Sequence, residues 1–438
     1  MKIHITILAI ILNCCWLHSA SGQGTEEVMT LEQVFQLAVR HSVSLQITSK
    51  NSEIARQQLD MSKDRRLPEI GTGLSYGYIS NADIWTPSFS EHLKSNIPHQ
   101  FTAFSLAASE TIYQGGLVDH TIERASLEEK VAQLSQEKNI QEIKLLVAGQ
   151  FLDICRLINQ RRVYMNNTKL AQKRLANILT MKKQGMVTEN DVLRTRLTIS
   201  DLTLAVKKVD NNLNILNRQL NILTGREDTA RITPDTTLLK RQVMLNPLNY
   251  YQSSALANNH ELKIAAADNL IAETNIRILK SERMPVISLF AGSNLQRPYL
   301  NSMPATDIFF NVWQAGISIR YNISSTYQAP KKIRYGVLRL EQSQQREVLA
   351  KQQLNVAVSS YYIKHNEALD ELLTLRSDLL SANENYRIVE KKYYNQLSLL
   401  TDIIDASNTK IEAEVKVANA EINVAYTYYQ LLKAIGSL

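Results

Sequence analysis

Cysteine is nearly absent from this chain. Three occur in 438 residues, and two of them, Cys14 and Cys15, fall in an N-terminal segment that reads as removable. Cys155 alone can make neither an intrachain disulfide nor a cysteine metal site. The eight histidines show no ligand spacing. There is no nucleophile motif, phosphate-binding glycine loop or histidine pair, so the chain does not read as an enzyme and implies no cofactor. Concentrated charge is missing too. The surplus of +7 falls to +6 without Lys2, and pairs such as Lys182-Lys183, Lys207-Lys208 and Lys391-Lys392 sit isolated on helices. A nucleic-acid partner would call for a basic stripe with interleaved aromatics. Proline is withheld from His99 to Thr233 and again from Lys331 to Leu438, and glycine is scarce in both runs. Leaving out helix breakers for more than about 100 residues twice, while supplying Leu, Val, Ala, Gln, Lys and Glu, specifies very long helices.

Long hydrophobic runs are lacking as well. The apolar stretch Ile3 to Leu17 is too short to span a bilayer. With Lys2 before it and Ser19, Ala20, Ser21 and Gly22 after it, it has the layout of a secretory signal peptide cleaved between Ala20 and Gly22. The protein reads as exported, without an inner-membrane anchor.

The mature sequence is written twice. Leu45 to Pro68 corresponds to Leu262 to Pro285. Further on, Asp191-Val192-Leu193 corresponds to Asp402-Ile403-Ile404, Leu220 to Leu431 and Gly225 to Gly436. Each copy reads as short helix, strand, loop, strand, long helix, break, short helix. The first repeat covers 23–224, with strands at about 69–79 and 101–113, a long helix at about 116–184 and a tip at 185–191. A linking equatorial segment covers 225–249. The second repeat covers 250–438, with strands at about 286–296 and 312–323, a long helix at about 326–395 and a tip at 396–402. In the last helix of the first copy Leu202, Val206, Val209, Leu213, Leu216, Leu220 and Leu223 alternate by four and three, a coiled-coil seam.

The strand segments alternate with period two. Ile70, Thr72, Leu74, Tyr76 and Tyr78 interleave with glycine and serine; Trp313, Ala315, Ile317, Ile319 and Tyr321 interleave with Gln314, Gly316, Ser318, Arg320 and Asn322. Segments of about 10 residues with that pattern suit an outer-membrane barrel, apolar towards lipid and polar towards a lumen. A soluble sheet packed on helices would alternate in the same way. The signal peptide and the rings of Tyr299, Phe309, Phe310 and Trp313, expected at the membrane interface, favour the membrane. Four strands cannot close a barrel, because about 8 are needed. Two copies would give a barrel filled by side chains, and three give about 12 strands with room for a conduit. A long helix of about 70 residues spans roughly 100 Å, and the two short helices of each copy, stacked, match it. The expected fold is therefore mainly α with a membrane β-barrel portion: a duplicated helix-strand-strand-helix-helix protomer, three of which form a 12-stranded barrel continued by an α-helical barrel.

Here the chain resembles the outer-membrane efflux protein (TolC) family over essentially its whole mature length. The resemblance rests on the duplication, on Ile112-Tyr113-Gln114-Gly115-Gly116 at the strand-to-helix junction, on Gly185 to Leu193 at the first tip, and on Leu220 to Gly225. The second junction, Tyr321 to Thr326, lacks the glycine pair, and Gln396 stands where the first tip has Gly185. The family implies a homotrimeric exit duct in the outer membrane of a Gram-negative bacterium, extending into the periplasm. Its implied partners are outer-membrane lipid, a periplasmic adaptor (membrane fusion) protein and an inner-membrane RND or ABC pump, in a tripartite efflux or type I secretion system. Gly185, Met186, Val187, Leu397, Ser398 and Leu399 are the expected adaptor-docking tips. Asp402 and Asp405, three residues apart on one helical face, are the expected pore gate, with Ser398 where some members carry a gate-locking arginine. The same signal peptide and heptads would also serve a structural envelope-spanning coiled-coil tether without a pore, which leaves the four alternating segments unexplained.

Overall fold

The computed structural model describes residues 26–240 and 244–438, so the expected signal peptide lies outside the described residues. In chain order the elements are β1 (Glu26–Met29), α1 (Leu31–His41), α2 (Val43–Lys63), β2 (Glu69–Tyr78), β3 (Ala82–Trp85), β4 (His92–Ser95), β5 (Gln100–Tyr113), α3 (Leu117–Lys183) and α4 (Glu189–Thr224). They continue with β6 (Arg231–Pro234), α5 (Leu248–Asn258), α6 (His260–Ser281), β7 (Val286–Arg297), β8 (Phe310–Arg320), α7 (Ser325–Tyr394) and α8 (Leu400–Ala434). The two long helices, α3 and α7, have 67 and 70 residues. Contacts divide the chain into two compact units. One comprises the residues up to Ile47 with Lys138–Asn259 and Gln353–Leu438; the other comprises Thr48–Glu137 with His260–Gln352.

The second unit holds a four-stranded antiparallel sheet in the order β2-β5-β7-β8, so that β2 and β8 are its edges. Its register brings the apolar positions of both sequence copies to one face. Ile70, Ala108, Ala291 and Ala315 form one row, Thr72, Leu106, Ser293 and Trp313 the next, and Leu74, Phe104 and Leu295 follow. Ile317 and Ile319 extend this face opposite Leu289 and Ile287. Its large members Ile70, Leu74, Phe104, Leu106, Trp313, Ile317 and Ile319 are exposed in the single chain. Gly71, Gly73, Ser75 and Gly77, with Ala103, Ser105, Ala107, Gly292, Asn294, Gln314 and Ser318, make the opposite face mainly small and polar, with Phe101, Val286, Phe290, Phe310 and Val312 as its larger apolar members. A short hairpin, β3–β4, not expected from the sequence, sits between β2 and β5.

At the first strand-to-helix junction Gly115 and Gly116 are both left-handed, at φ 61° and 77°. A Cβ on Gly115 would lie 2.6 Å from Met284 Cγ and 3.2 Å from Ser281 Cα, while the Ser281 hydroxyl donates to the Gly115 carbonyl at 2.6 Å. The second junction turns differently. Asn322 uses its side-chain oxygen to accept from the Ser324 N–H, and its carbonyl accepts from the Ser325 N–H and hydroxyl. An asparagine turn thus replaces the glycine pair.

The helical unit corrects one expectation: the single short helix expected to open each copy is two helices, broken at Ser42 in the first copy and at Asn259 in the second. Both residues adopt nearly the same extended backbone, φ −61° with ψ 120° and 125°. A left-handed glycine ends the last helix of each copy beside the break. Gly225 comes within 2.7 Å, measured from an added Cβ, of His41, and Gly436 within 2.7 Å of the Asn258 carbonyl. The repeat therefore extends to a joint that no helix breaker marks. Around the first joint Val34, Phe35, Ala38, Val147, Phe151, Leu152 and Leu220 pack into a buried core. The parallel pairing of β1 with β6, also not expected, adds Ile232 to this core. Cys155 is buried in the same core, which pushes its thiol up to about 12 and keeps it protonated and unreactive.

Replacing Gly115 by valine should cost at least about 1–2 kcal/mol from the left-handed backbone alone, with the Met284 collision added. It would be read as a lowered thermal midpoint. Gly71→Ala, where nothing lies within 4 Å, should leave that midpoint unchanged.

Candidate functional site

The two helix reversals are built alike although only one carries glycine. Gly185, at φ 72°, ends α3, and the Met186 N–H donates to the Met181 carbonyl at 2.9 Å. At the second reversal Gln396 takes the left-handed conformation at φ 62°, and the Leu397 N–H donates to the Lys392 carbonyl at 2.8 Å. Both are Schellman closures, in which the residue past the helix must be left-handed. A side chain there costs about 1–2 kcal/mol, so the second tip holds its geometry against strain.

Each following helix opens on an aspartate that caps it. Asp191 accepts from the Thr188 N–H at 2.9 Å and from its hydroxyl at 3.0 Å, and Asp402 accepts from the Leu399 N–H at 2.9 Å. A carboxylate in the first turn satisfies an orphan donor and meets the positive end of the helix dipole. Asp402 thus has a local structural role that fully accounts for an acid at that position. Asp405 lies one turn further along. Both carboxylates are exposed on one side of α8, while Ile403 and Ala406 on its other side are buried in the tip core.

That core joins all four tip helices. Ile178 of α3, Val192 of α4, Tyr386 and Tyr393 of α7, and Leu400, Ile403 and Ala406 of α8 are buried together. The six residues expected at the docking tips separate by exposure. Met186, Leu397 and Leu399 are large, apolar and open, at 50%, 75% and 70%, and Gly185 is open at the turn. Val187 instead packs against the tip core, and Ser398 is half-buried, with its hydroxyl directed at the Val389 carbonyl at 3.5 Å.

A polar cluster inside this core escaped sequence reading. Arg174 of α3 is 3% exposed and donates to the Tyr386 hydroxyl at 3.0 Å, which donates in turn to Glu390 at 2.6 Å. The Lys410 ammonium of α8 lies 4.9 Å from the Tyr386 ring centre, within cation–π range. Burial, together with the hydrogen bond to Glu390 and against the charge of Arg174, pushes the Tyr386 phenol up to about 12. The signal was an arginine standing between Ala171 and Ile178, both buried, at three-and-four spacing on α3.

In the sheet unit Trp313 lies on the apolar face and is exposed, and Phe309 is exposed beneath the Arg297 guanidinium, 5.4 Å from its ring centre. Phe310 departs from expectation. Its pairing with Gln296 puts it on the small and polar face, where its ring stands 4.6 Å from that of Tyr299. Tyr76 and Tyr78, exposed on the apolar face of β2, are ring-bearing positions that belong with Trp313. Among the described residues no group of three or more His, Cys, Asp or Glu side chains could hold a metal ion, and no helix is long and apolar enough to cross a membrane.

A sequence model described as outer membrane efflux protein matches residues 252–437. The outer membrane protein TolC of Escherichia coli (strain K12) is 20% identical over 437 residues, covering 96% of this chain and 85% of that protein. TolC of Vibrio cholerae is 19% identical, over 93% of this chain and 91% of the relative. Among solved structures, the CusC channel superposes with a TM-score of 0.80 at 14% identity over 93% of this chain and 92% of that one. VceC of Vibrio cholerae gives 0.77 at 12% identity over 93% and 96%.

Tyr386→Phe should leave the buried Arg174 guanidinium short of its acceptor and cost about 1–3 kcal/mol. Faster amide exchange confined to the tip, with the sheet unit unchanged, is the expected readout.

Proposed function

Because the chain belongs to the outer membrane efflux protein family, we propose that it is the exit duct of a tripartite efflux or type I secretion system, assembled as a homotrimer. It resides in the outer membrane of a Gram-negative bacterium and extends into the periplasm. The observation that carries the duct reading is the four-stranded sheet, mainly apolar on one face, which also carries Thr72, Glu110, Ser293 and Arg297, and mainly small and polar on the other, with β2 and β8 left as open edges. Unpaired strand edges are not tolerated in hydrocarbon, so such a sheet must be completed into a closed barrel. Four strands from each of three copies make about 12, wide enough for a lumen. A pore-less tether has no use for such a sheet.

The helical unit supports the same assembly. Beyond its buried seam, α4 carries a second apolar stripe of Leu193, Leu197, Leu204, Ile215 and Ile222, exposed in the single chain. On α7 the exposed apolar residues include Leu349, Val356, Ile363, Leu373 and Leu380. Their recurrent spacing of seven is that of a further coiled-coil seam, which neighbouring copies would cover.

Threefold symmetry would turn Asp402 and Asp405 into two stacked carboxylate rings at the periplasmic end, a constriction that concentrates cations. Met186, Leu397 and Leu399, the open apolar residues of the tips, would meet the periplasmic adaptor, which links the duct to an RND or ABC pump. Substrate follows from that pump.

Asp402→Asn with Asp405→Asn tests the gate, because asparagine still caps α8. In planar bilayers the double variant should lose cation selectivity and sensitivity to multivalent cations while remaining trimeric. Selectivity and block equal to the parent would remove these aspartates from the constriction. Aspartate at Met186, Leu397 and Leu399 should abolish efflux with trimers intact; full efflux in all three variants would place the docking surface elsewhere. Val187 is unsuitable for this test because it packs in the core.

A further inference from the structure

The sheet's edges specify how one copy meets the next. Going across the sheet, β2, β5, β7 and β8 alternate in direction, so β8 of one copy and β2 of the next would pair antiparallel. The pairing must keep the apolar face continuous. Even-numbered residues of β2 and odd-numbered residues of β8 occupy that face, so only staggers of an even number of residues are allowed. Within one copy Ala315 shares a row with Ile70. If Ala315 pairs with Leu74 of the next copy, a stagger of four residues, all ten residues of β2 lie opposite Asn311–Arg320. With strands about 4.8 Å apart and a rise of about 3.3 Å per residue, that stagger tilts the strands by roughly 35°, within the range for closed barrels. Staggers of two and six would tilt them by roughly 19° and 46° and leave part of β2 unpaired.

This register sets Glu69 of one copy directly opposite Arg320 of the next. The two side chains lie on the small and polar face, both are exposed in the single chain, and neither has an ion-pair partner among the described residues. They are the only charged residues on that face of β2 and β8. We propose that Glu69 and Arg320 form an ion pair between copies, inside the barrel at the end where the strands meet the helices, and that this pair fixes the stagger at four residues. The partner is a second copy of this chain, so the inference rests on the trimeric reading. Slipping by two residues would separate the two charges along the strand and set each opposite a neutral residue. Directly opposite charges on one face of an antiparallel pair are favourable and like charges are not.

Two experiments on the full-length, detergent-extracted protein test it. In a Cys155→Ser background, cysteine pairs at Gly71 with Ser318 and at Ser75 with Gln314 should join copies through a short bis-thiol reagent into dimer and trimer bands. Gly77 with Gln314, opposite only at a stagger of six, should not. Separately, Glu69→Arg and Arg320→Glu should each lower the temperature at which trimers dissociate, and the double exchange should recover most of the loss. Cross-linking of the Gly77 pair instead, or single variants with parental dissociation temperatures, would overturn the ion-paired register while native mass measurement still showed trimers. A monomer in native mass measurement would overturn the trimeric reading, and this inference with it.

Discussion

Inside a bilayer no backbone N–H or C=O can be left for water to satisfy, and that constraint governs the protein. A four-stranded sheet meets it along its interior strands and fails at its two edges. The chain cannot mend this alone, because both neighbours of the sheet in sequence are helices. The apolar face of Ile70, Leu74, Leu106, Trp313 and Ile317 is suited to lipid, and the opposite face of glycine and serine keeps the inner wall thin. The open edges and the uncovered apolar stripes on α4 and α7 both call for further copies of the chain.

Duplication then explains details that have no other evident cause. The breaks at Ser42 and Asn259 share a backbone conformation, and each is met by the left-handed glycine that ends the last helix of its own copy. The glycines allow a close approach that a Cβ would block, so the last helix of each copy ends against the joint rather than passing it. The copies differ where a second chemical solution exists. An asparagine turn replaces the Gly115-Gly116 pair, and a strained Gln396 replaces Gly185.

At the tips the same residues close helices and furnish the proposed gate. Asp402 caps α8, so a negative charge there has a structural use before any lumen is considered; Asp405 has no such local use and is the more telling of the two. Beneath them, the Arg174–Tyr386–Glu390 chain ties α3 to α7 through a core that is otherwise apolar. A buried guanidinium held by a phenol makes that joint sensitive to small displacements, since losing one partner leaves a charge without compensation.

Helix length, duplication, the two tips and the alternating strands were legible from sequence alone because each is a local or periodic property. Missing proline, spacing of three and four, and period two are visible within a few residues. The strand faces followed as well, since a side chain's face depends only on its parity. What the tertiary structure decided depends on how distant segments meet. Arg174 and Tyr386 are 212 residues apart, and only the packing of α3 against α7 makes them partners. Val187 reads as a surface tip residue until it is seen packed against the tip core, and Phe310 becomes part of the sheet only because β8 extends back to it, in register with Gln296. The breaks at Ser42 and Asn259 carry no helix breaker; each is the place where another helix ends against the chain, which no local pattern records.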